Sequence, residues 1–76
     1  MNLFELQSGE ECLIDKITIK GSMRRHLLDL GLAPDTRVQC VGKSPLGDPK
    51  AFLIRGAVIA LRQQDCEKIF IKDVTS

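Results

Sequence analysis

Single glycines and prolines interrupt this chain so often that only short helices and strands can form. They fall at Gly21, across residues 31–35 and 42–49, and at Gly56, and both residue types tend to end regular structure. A chain of 76 residues buries only about 60% of the surface that its unfolded form exposes. The sequence therefore predicts a series of short elements around one thin core, with no room for a deep, enclosed active site.

The segment from residue 11 to residue 19 has the pattern of a bulged strand. Cys12 and Ile14 alternate with their neighbours, and so do Ile17 and Ile19, but the two pairs are out of step with each other. One extra residue in a strand reverses the face on which the following side chains lie. We therefore expect a β-bulge between the two pairs.

One helix is predicted over residues 22–30. Met23, Leu27 and Leu30 recur at spacings of four and three, which is the pattern of a single helix face turned toward a core. Ser22 is placed to cap the N-terminus of this helix.

The same helix is predicted to end in a Schellman motif. Gly31 follows it as the left-handed residue, and Leu32 beyond it can contact Leu27 across the helix end. Pro34 then prevents the helix from continuing.

The remaining segments predict further strands. Val38 and Cys40 alternate with polar residues over 36–41, and this strand is expected to stop at Gly42. After a loop over 43–50, the pattern predicts a hairpin around Arg55 and Gly56, one helical turn within 62–67, and a closing strand at Ile69, Phe70 and Ile71.

Together these elements predict a mainly β fold, a small SH3-like barrel of about five strands with one inserted α-helix at residues 22–30. Residues 1–76 are expected to form this one domain. Closing the sheet would remove the unpaired strand edges that a small open sheet exposes. Side chains fill the interior of so small a barrel, so function is expected on its outer surface.

Charge and cysteine content indicate a cytosolic protein that does not bind nucleic acid. Lys and Arg number 11 against 10 Asp and Glu, a net charge of +1, whereas nucleic-acid binding usually needs a basic excess and stacking aromatic rings. Three cysteines without a CxxC pair predict buried thiols in a reducing compartment. No apolar run is long enough for a signal peptide or a membrane span.

No residue cluster predicts catalysis, a metal site or a cofactor. The string at 42–44 matches the last three residues of a phosphate-binding loop, but Pro45 follows where a helix is needed. Nothing places His26, the one histidine, as a base beside a Cys or Ser, so we expect no enzyme. An alternative stays open, in which His26, Asp29 or a thiol holds ferrous iron or another divalent metal and the protein is a carrier or sensor.

Two apolar side chains outside the predicted core are better candidates for a functional site. Leu28 lies off the core stripe of the helix, beside Arg24. Leu46 lies in a loop stiffened by Pro45 and Pro49, which lowers the entropy lost on binding. Leu46 either anchors a partner or folds back over one end of the barrel, and the sequence favours neither.

Three segments of the chain resemble one known family. They are MRRHLLDLGLAP at 23–34, SPLGDP at 44–49 and IALR at 59–62, and their combination is more specific than any one of them. Over about residues 9–72, the chain resembles the ferrous iron transport protein A (FeoA) family. The resemblance implies an SH3-like barrel with an inserted helix, and a small cytosolic accessory protein of bacterial ferrous iron uptake.

The same resemblance implies a partner, the cytosolic GTP-binding region of the membrane permease, ferrous iron transport protein B. Nucleotide chemistry would belong to that partner, and this chain would reach the membrane only through it. We expect Arg24 and Arg25 to steer the approach and Leu28, Pro45 and Leu46 to form the contact. Weak self-association through a barrel edge or through Leu28 stays open.

One position departs from the family's usual pattern. The family usually has Pro-Gly in the turn after the helix, whereas Asp35 follows Pro34 here. Asp tolerates several turn conformations, so we expect the neighbouring helix and strand to be undisturbed. The domain also occurs in metal-dependent repressors, but this chain has no helix-turn-helix with which to read DNA.

Overall fold

The computed structural model describes residues 1–76, which form a five-stranded sheet and two short helices. Neither helix is long and apolar enough to cross a membrane. In chain order the elements are a 3₁₀ turn at Leu3–Glu5, β1 at Glu11–Ile17, α1 at Ser22–Asp29, β2 at Arg37–Lys43, β3 at Lys50–Ile54, β4 at Ala57–Leu61, α2 at Gln63–Cys66 and β5 at Ile69–Thr75.

The strands pair in the order β4-β3-β2-β1-β5, and each neighbouring pair is antiparallel. The predicted mainly β architecture, with five strands and one helix between the first two, is confirmed. The expectation of a fully closed sheet is wrong, because β4 and β5 are the two edges and do not pair with each other. α2 connects β4 to β5, and its Cys66 side chain lies in the core. Between these two strands, side-chain packing takes the place of backbone hydrogen bonds.

β1 is bulged, as its sequence predicts. Its pairing with β5 shifts register between Ile14 and Lys16. Cys12 and Ile14 before the shift are buried, and so are Ile17 and Ile19 after it. The extra residue reverses the face of the sheet on which the following side chains lie, so that both pairs contribute to the core.

The start of α1 differs from the prediction. Gly21, with a φ of 77°, is the N-cap residue, and Ser22 is already helical and makes no capping hydrogen bond. Glycine adopts this positive φ without strain, so the turn into the helix forms one residue earlier. Of the predicted stripe only Leu27 is buried, since Met23 is 38% exposed and Leu30 is half-buried. With eight residues the helix ends one residue before the predicted Leu30 and makes about two turns.

α1 ends in the predicted Schellman motif. The Leu32 N–H donates to the Leu27 carbonyl at 3.0 Å, and the Gly31 N–H donates to the Leu28 carbonyl at 3.0 Å. Gly31 has a φ of 104°, in the region that favours glycine. Leu32 and Leu27 are both buried, so the apolar contact that accompanies this motif is also present.

β2 continues further than predicted. It runs through Gly42 to Lys43, because a register shift between Cys40 and Gly42 lets the ladder with β3 resume, and glycine within a strand often marks such a bulge. β3 and β4 form the predicted hairpin. Arg55 and Gly56 at its turn have φ values of 50° and 83°, as a type I′ turn requires.

The core includes two residues outside the predicted strands and helix. Leu3 and Leu6 are fully buried, at the two ends of a short 3₁₀ turn that Asn2 and Glu5 cap. The predicted burial of the cysteines is confirmed, and Phe52 is also fully buried. The 16 members of the core are Leu3, Leu6, Cys12, Ile14, Ile17, Ile19, Leu27, Leu32, Val38, Cys40, Phe52, Ile54, Leu61, Cys66, Ile69 and Ile71.

Lys50 is the one charged side chain buried beside this core, at 7% exposure. Its Nζ donates to the carbonyl oxygens of Phe4 and Leu6, to the latter at 3.0 Å. The same atom lies 4.5 Å from the centre of the Phe4 ring. A buried charge needs partners of this kind, and here they fasten the N-terminal segment to the start of β3.

The turn before β2 places Asp35 in a left-handed conformation, with a φ of 68°. Its N–H donates to the Ile14 carbonyl at 2.7 Å. Its carboxylate forms an exposed ion pair with the Lys72 ammonium at 2.6 Å. The departure from the family's usual glycine is thus accommodated without loss of α1 or β2.

Asp35→Gly and Asp35→Ala are expected to differ in stability although both remove the ion pair. A non-glycine residue in the left-handed region costs about 1 kcal/mol, so the glycine variant should be more stable than the alanine variant by about that amount. Urea unfolding followed by circular dichroism measures the difference. Equal stabilities would mean that the backbone at this position is not strained.

Candidate functional site

Leu46 is the most exposed of the large hydrophobic side chains, with 94% of its surface in solvent. It lies at the tip of the loop between β2 and β3, in a turn closed by the Gly47 N–H, which donates to the Ser44 carbonyl at 2.8 Å. Pro45 takes the second position of this turn, which its fixed φ suits. The alternative in which Leu46 folds back over the barrel end is wrong, because the turn directs the side chain into solvent.

Hydrogen bonds at the base of the loop hold this turn in place. The Ser44 N–H donates to the Pro49 carbonyl at 3.0 Å, and the Ser44 hydroxyl donates to the Asp48 carbonyl at 2.7 Å. The Asp48 carboxylate accepts the Gln63 N–H at 2.9 Å, at the N-terminus of α2. Sequence reasoning misses this last contact, because the two residues are 15 positions apart and share no motif. The loop is preorganised, so little entropy remains to be lost on binding.

The outer face of α1 carries the other predicted site residues. Arg24, Arg25 and Leu28 line an open depression together with Gly21 and Asp29. Leu28 is 39% exposed, as expected for a residue beside the core stripe. This face therefore presents one apolar side chain between charged ones.

The two arginines of this face differ in their freedom. The Arg24 Nη1 donates to the Ile17 carbonyl at 2.8 Å, which holds its guanidinium against the barrel. Neither arginine forms an ion pair with a carboxylate. Arg25 is therefore the better placed of the two to meet charge on a partner.

The structure does not bring the two groups of predicted site residues together. α1 leads into the start of β2, where Gly31 lies against the Arg55 side chain of the β3–β4 turn. The loop of Leu46 follows the opposite end of β2, and β2 has seven residues, or a length of about 23 Å. The predicted helix residues therefore lie at one end of the barrel, and Pro45 and Leu46 lie at the other.

The residues considered as metal ligands do not form a group. His26 and Asp29 are exposed on α1, and nowhere do three His, Cys, Asp or Glu side chains converge. Burial raises the pKa of Cys12 from 9.0 to about 11. Burial, with a smaller effect of the nearby Asp65 carboxylate, raises the pKa of Cys66 from 9.0 to about 12. Both thiols are therefore protonated at neutral pH, whereas the thiolate is the form that binds metals.

The architecture is that of a small SH3-like barrel, five antiparallel strands with one helix inserted after the first. Its exposed features are an apolar loop tip at one end and a basic helix face at the other. Residues 1–73 match the model of the FeoA domain. The chain belongs to the FeoA family, that of ferrous iron transport protein A, and the predicted membership is confirmed.

Similar proteins agree with this assignment. The chain is 29% identical over 76 residues to an Fe(2+) transport protein A/Fe(2+) transporter FeoB fusion protein of Porphyromonas gingivalis. This match covers 100% of the present chain and 9% of that protein. The solution structure of FeoA from Chlorobium tepidum has a TM-score of 0.89 at 30% identity, over 93% of this chain and 68% of that one. The zinc complex of Stenotrophomonas maltophilia FeoA, a prokaryotic SH3 domain protein, has a TM-score of 0.83 at 22% identity, over 95% of this chain and 89% of that one. The predicted SH3-like fold is confirmed.

Proposed function

We propose that this chain is an accessory protein of ferrous iron uptake that docks on the cytosolic GTP-binding region of the permease, ferrous iron transport protein B. The observation that carries the proposal is Leu46, an apolar side chain almost wholly in solvent on a loop held by its own hydrogen bonds. A rigid apolar tip of this kind stabilises a complex when a partner buries it. The chain would act in the cytosol and reach the membrane only through this partner.

The identity of the partner is supported by the relative from Porphyromonas gingivalis. In that protein, sequence related to the whole of this chain is joined to an FeoB transporter. Joining two domains raises the effective concentration of one at the other to about the millimolar range, which favours contacts that separate chains would make more weakly. This chain spans about 9% of that relative, and in our proposal nucleotide and transport chemistry belong to the remainder.

One partner can contact both groups of site residues if it extends along β2. β2, which runs from the end of the barrel with one group to the end with the other, is about 23 Å long, and the protein measures 29 × 25 × 23 Å. A standard interface covers about 800 Å² on each side, a patch about 30 Å across. In the proposed complex Leu46 and Pro45 fill an apolar pocket, Leu28 makes a second contact, and Arg24 and Arg25 face acidic groups.

Leu46→Asp is expected to weaken binding to the purified cytosolic domain of ferrous iron transport protein B by about 30-fold or more. Loss of a buried apolar anchor costs about 2 kcal/mol or more, and titration calorimetry with both purified proteins measures it. Val58→Asp is the matched control, because Val58 is also apolar and 65% exposed but lies on β4, outside the proposed contact. Both variants should unfold at the wild-type temperature, since neither side chain is in the core.

Three other outcomes would change the proposal in different ways. Wild-type affinity in Leu46→Asp would remove Leu46 from the contact. A loss confined to Leu28→Asp would mean that the face of α1 binds the partner alone. Absence of binding by the wild-type chain to this domain would overturn the proposed partner itself.

A further inference from the structure

The two edges of the sheet are protected to very different degrees. The outer side of β5 is covered by the N-terminus, since the Ile71 N–H donates to the Met1 carbonyl at 3.0 Å and Asn2 bridges to Phe70. β5 also contains Asp73 with a φ of 53°. Irregular backbone and charged residues discourage an edge strand from pairing with another chain. β4 has no such protection.

β4 is a bare, uncharged edge strand. Its sequence, AVIAL, contains no charge, glycine or proline, and it pairs only with β3. Because the β3–β4 turn has two residues, Ile54 and Ala57 beside it are a hydrogen-bonded pair, and the backbone groups of Val58 and Ala60 point away from β3. No backbone hydrogen bond outside the sheet satisfies these two residues.

The surface beside this edge is apolar as well. Val58 pairs with Leu53, and Ala60 pairs with Ala51, on the outer face of the β3–β4 hairpin. Val58 and Ala60 are exposed, and Leu53 and Ala51 are half-buried. Val41 on β2 is a further exposed apolar residue, at 44%. An occupant of the β4 edge would extend both the hydrogen-bonded sheet and its apolar outer face.

We propose that two copies of this chain pair through β4, antiparallel and centred on Ile59. In this register Val58 of each copy lies opposite Ala60 of the other, so their outward N–H and carbonyl groups satisfy one another. An isologous interface must be complementary to itself. β4 meets this requirement, because it holds no charge that would be repelled by its own copy.

The pairing is expected to be weak and to strengthen with salt. A single strand edge buries less than the roughly 1,000 Å² that a stable interface exceeds, so we expect a dissociation constant of about 0.1 to 1 mM. Arg55 and Arg62 lie just beyond the two ends of β4, and the register brings the arginines of one copy near those of the other. Salt screens this repulsion, whereas it weakens docking that Arg25 guides to an acidic surface.

Sedimentation equilibrium of the chain alone, from about 0.02 to 2 mM, tests the proposal on both sides of the expected dissociation constant. The mass should rise from 8.4 kDa toward twice that value. Ala60→Pro removes the outward N–H and leaves the ladder with β3 intact, as edge strands allow, and it should remain monomeric throughout. Ala60→Val is the matched control, because it keeps the N–H and should associate like the wild type.

Other outcomes would overturn the proposal. A wild type that is monomeric at about 2 mM excludes pairing, and association undiminished in Ala60→Pro places the contact elsewhere. If Ala60→Pro fails to fold, Val58→Lys takes its place with the same expectation, because lysine on an edge strand opposes pairing. If the wild type is monomeric but an unrelated alternating apolar peptide shifts the amide resonances of Val58 and Ala60, the occupant is a strand of another protein. Docking on the permease is measured separately, so either proposal can fail alone.

Discussion

Between about pH 8 and pH 10 the free energy of unfolding is expected to fall by about 3 kcal/mol. The pKa of Cys12 is raised from 9.0 to about 11, and that of Cys66 from 9.0 to about 12, because both thiols are buried. The unfolded chain therefore loses these protons over a range in which the native protein keeps them. This contribution to stability is complete below pH 9 and is lost as the pH rises toward 11 and 12.

The size of the effect follows from the two pKa values. At about pH 10, one unit above the unfolded value, each thiol accounts for about 1.4 kcal/mol. The total stability of a chain of this length is on the order of 4 to 11 kcal/mol, so the change is a large part of it. There is no tyrosine to titrate in the same range. Lys72 contributes little in this range, because its ordinary pKa of 10.5 lies above it and the hydrogen bond to Asp35 raises the pKa further.

Cys66→Ala separates the contributions of the two thiols. In the variant only Cys12 keeps a raised pKa, so between about pH 8 and pH 10 its free energy of unfolding should fall by about half as much as that of the wild type. The lost packing also lowers the stability of the variant at every pH. Urea unfolding followed by far-ultraviolet circular dichroism measures both proteins. An equal fall in the variant and the wild type would assign the pH dependence to groups other than Cys66.

Most strand positions could be predicted because they depend on neighbours in the sequence. The change of parity between Ile14 and Ile17 predicts the bulge of β1, and Gly31 with Leu32 predicts the end of α1. The hydrogen bonds that end α1 are local, since they join residues close together in the sequence. The bulge pairs with the distant β5, but the order of apolar residues within β1 already shows it. The helix start was less predictable, because Gly21 and Ser22 are both acceptable caps.

The N-terminal segment could not be predicted, because a distant residue fixes it. The short turn around Leu3 and Leu6 does not show which side of it is buried, and their burial accompanies hydrogen bonds from Lys50, which is 44 positions from Leu6. Lys50 itself resembles Lys43 in sequence, since both flank the same loop. Only the barrel distinguishes them, by turning one lysine into the core and the other into solvent.

The candidate site was predictable in its parts but not in its arrangement. Pro45 and Pro49 predict a stiff loop, yet the position of Leu46 at its tip also depends on the bond between Asp48 and Gln63. The distance between this loop and Leu28 depends on the direction of β2, which strand pairing determines. Composition and spacing carry no information on that direction.

Lys50→Met is expected to lower the free energy of unfolding by about 3 kcal/mol. Methionine keeps an apolar stem but cannot donate, so the carbonyl oxygens of Phe4 and Leu6 lose their charged donor. Hydrogen bonds to a charged group contribute about 1.5 to 3 kcal/mol each. Relief from burying the ammonium offsets part of this sum. Urea unfolding gives the total, and amide hydrogen exchange shows where the loss falls.

Lys43→Met is the matched control for this loss. Lys43 pairs with Lys50 across β2 and β3 but is exposed, so its replacement should change stability by less than about 0.5 kcal/mol. In Lys50→Met, the amides of residues 1–6 should exchange faster than global unfolding explains, because Leu3 and Leu6 lose their attachment. Wild-type exchange there would mean that apolar packing holds this segment without the ammonium. If the segment does detach, Met1 no longer covers β5, and both edges of the sheet become open to pairing.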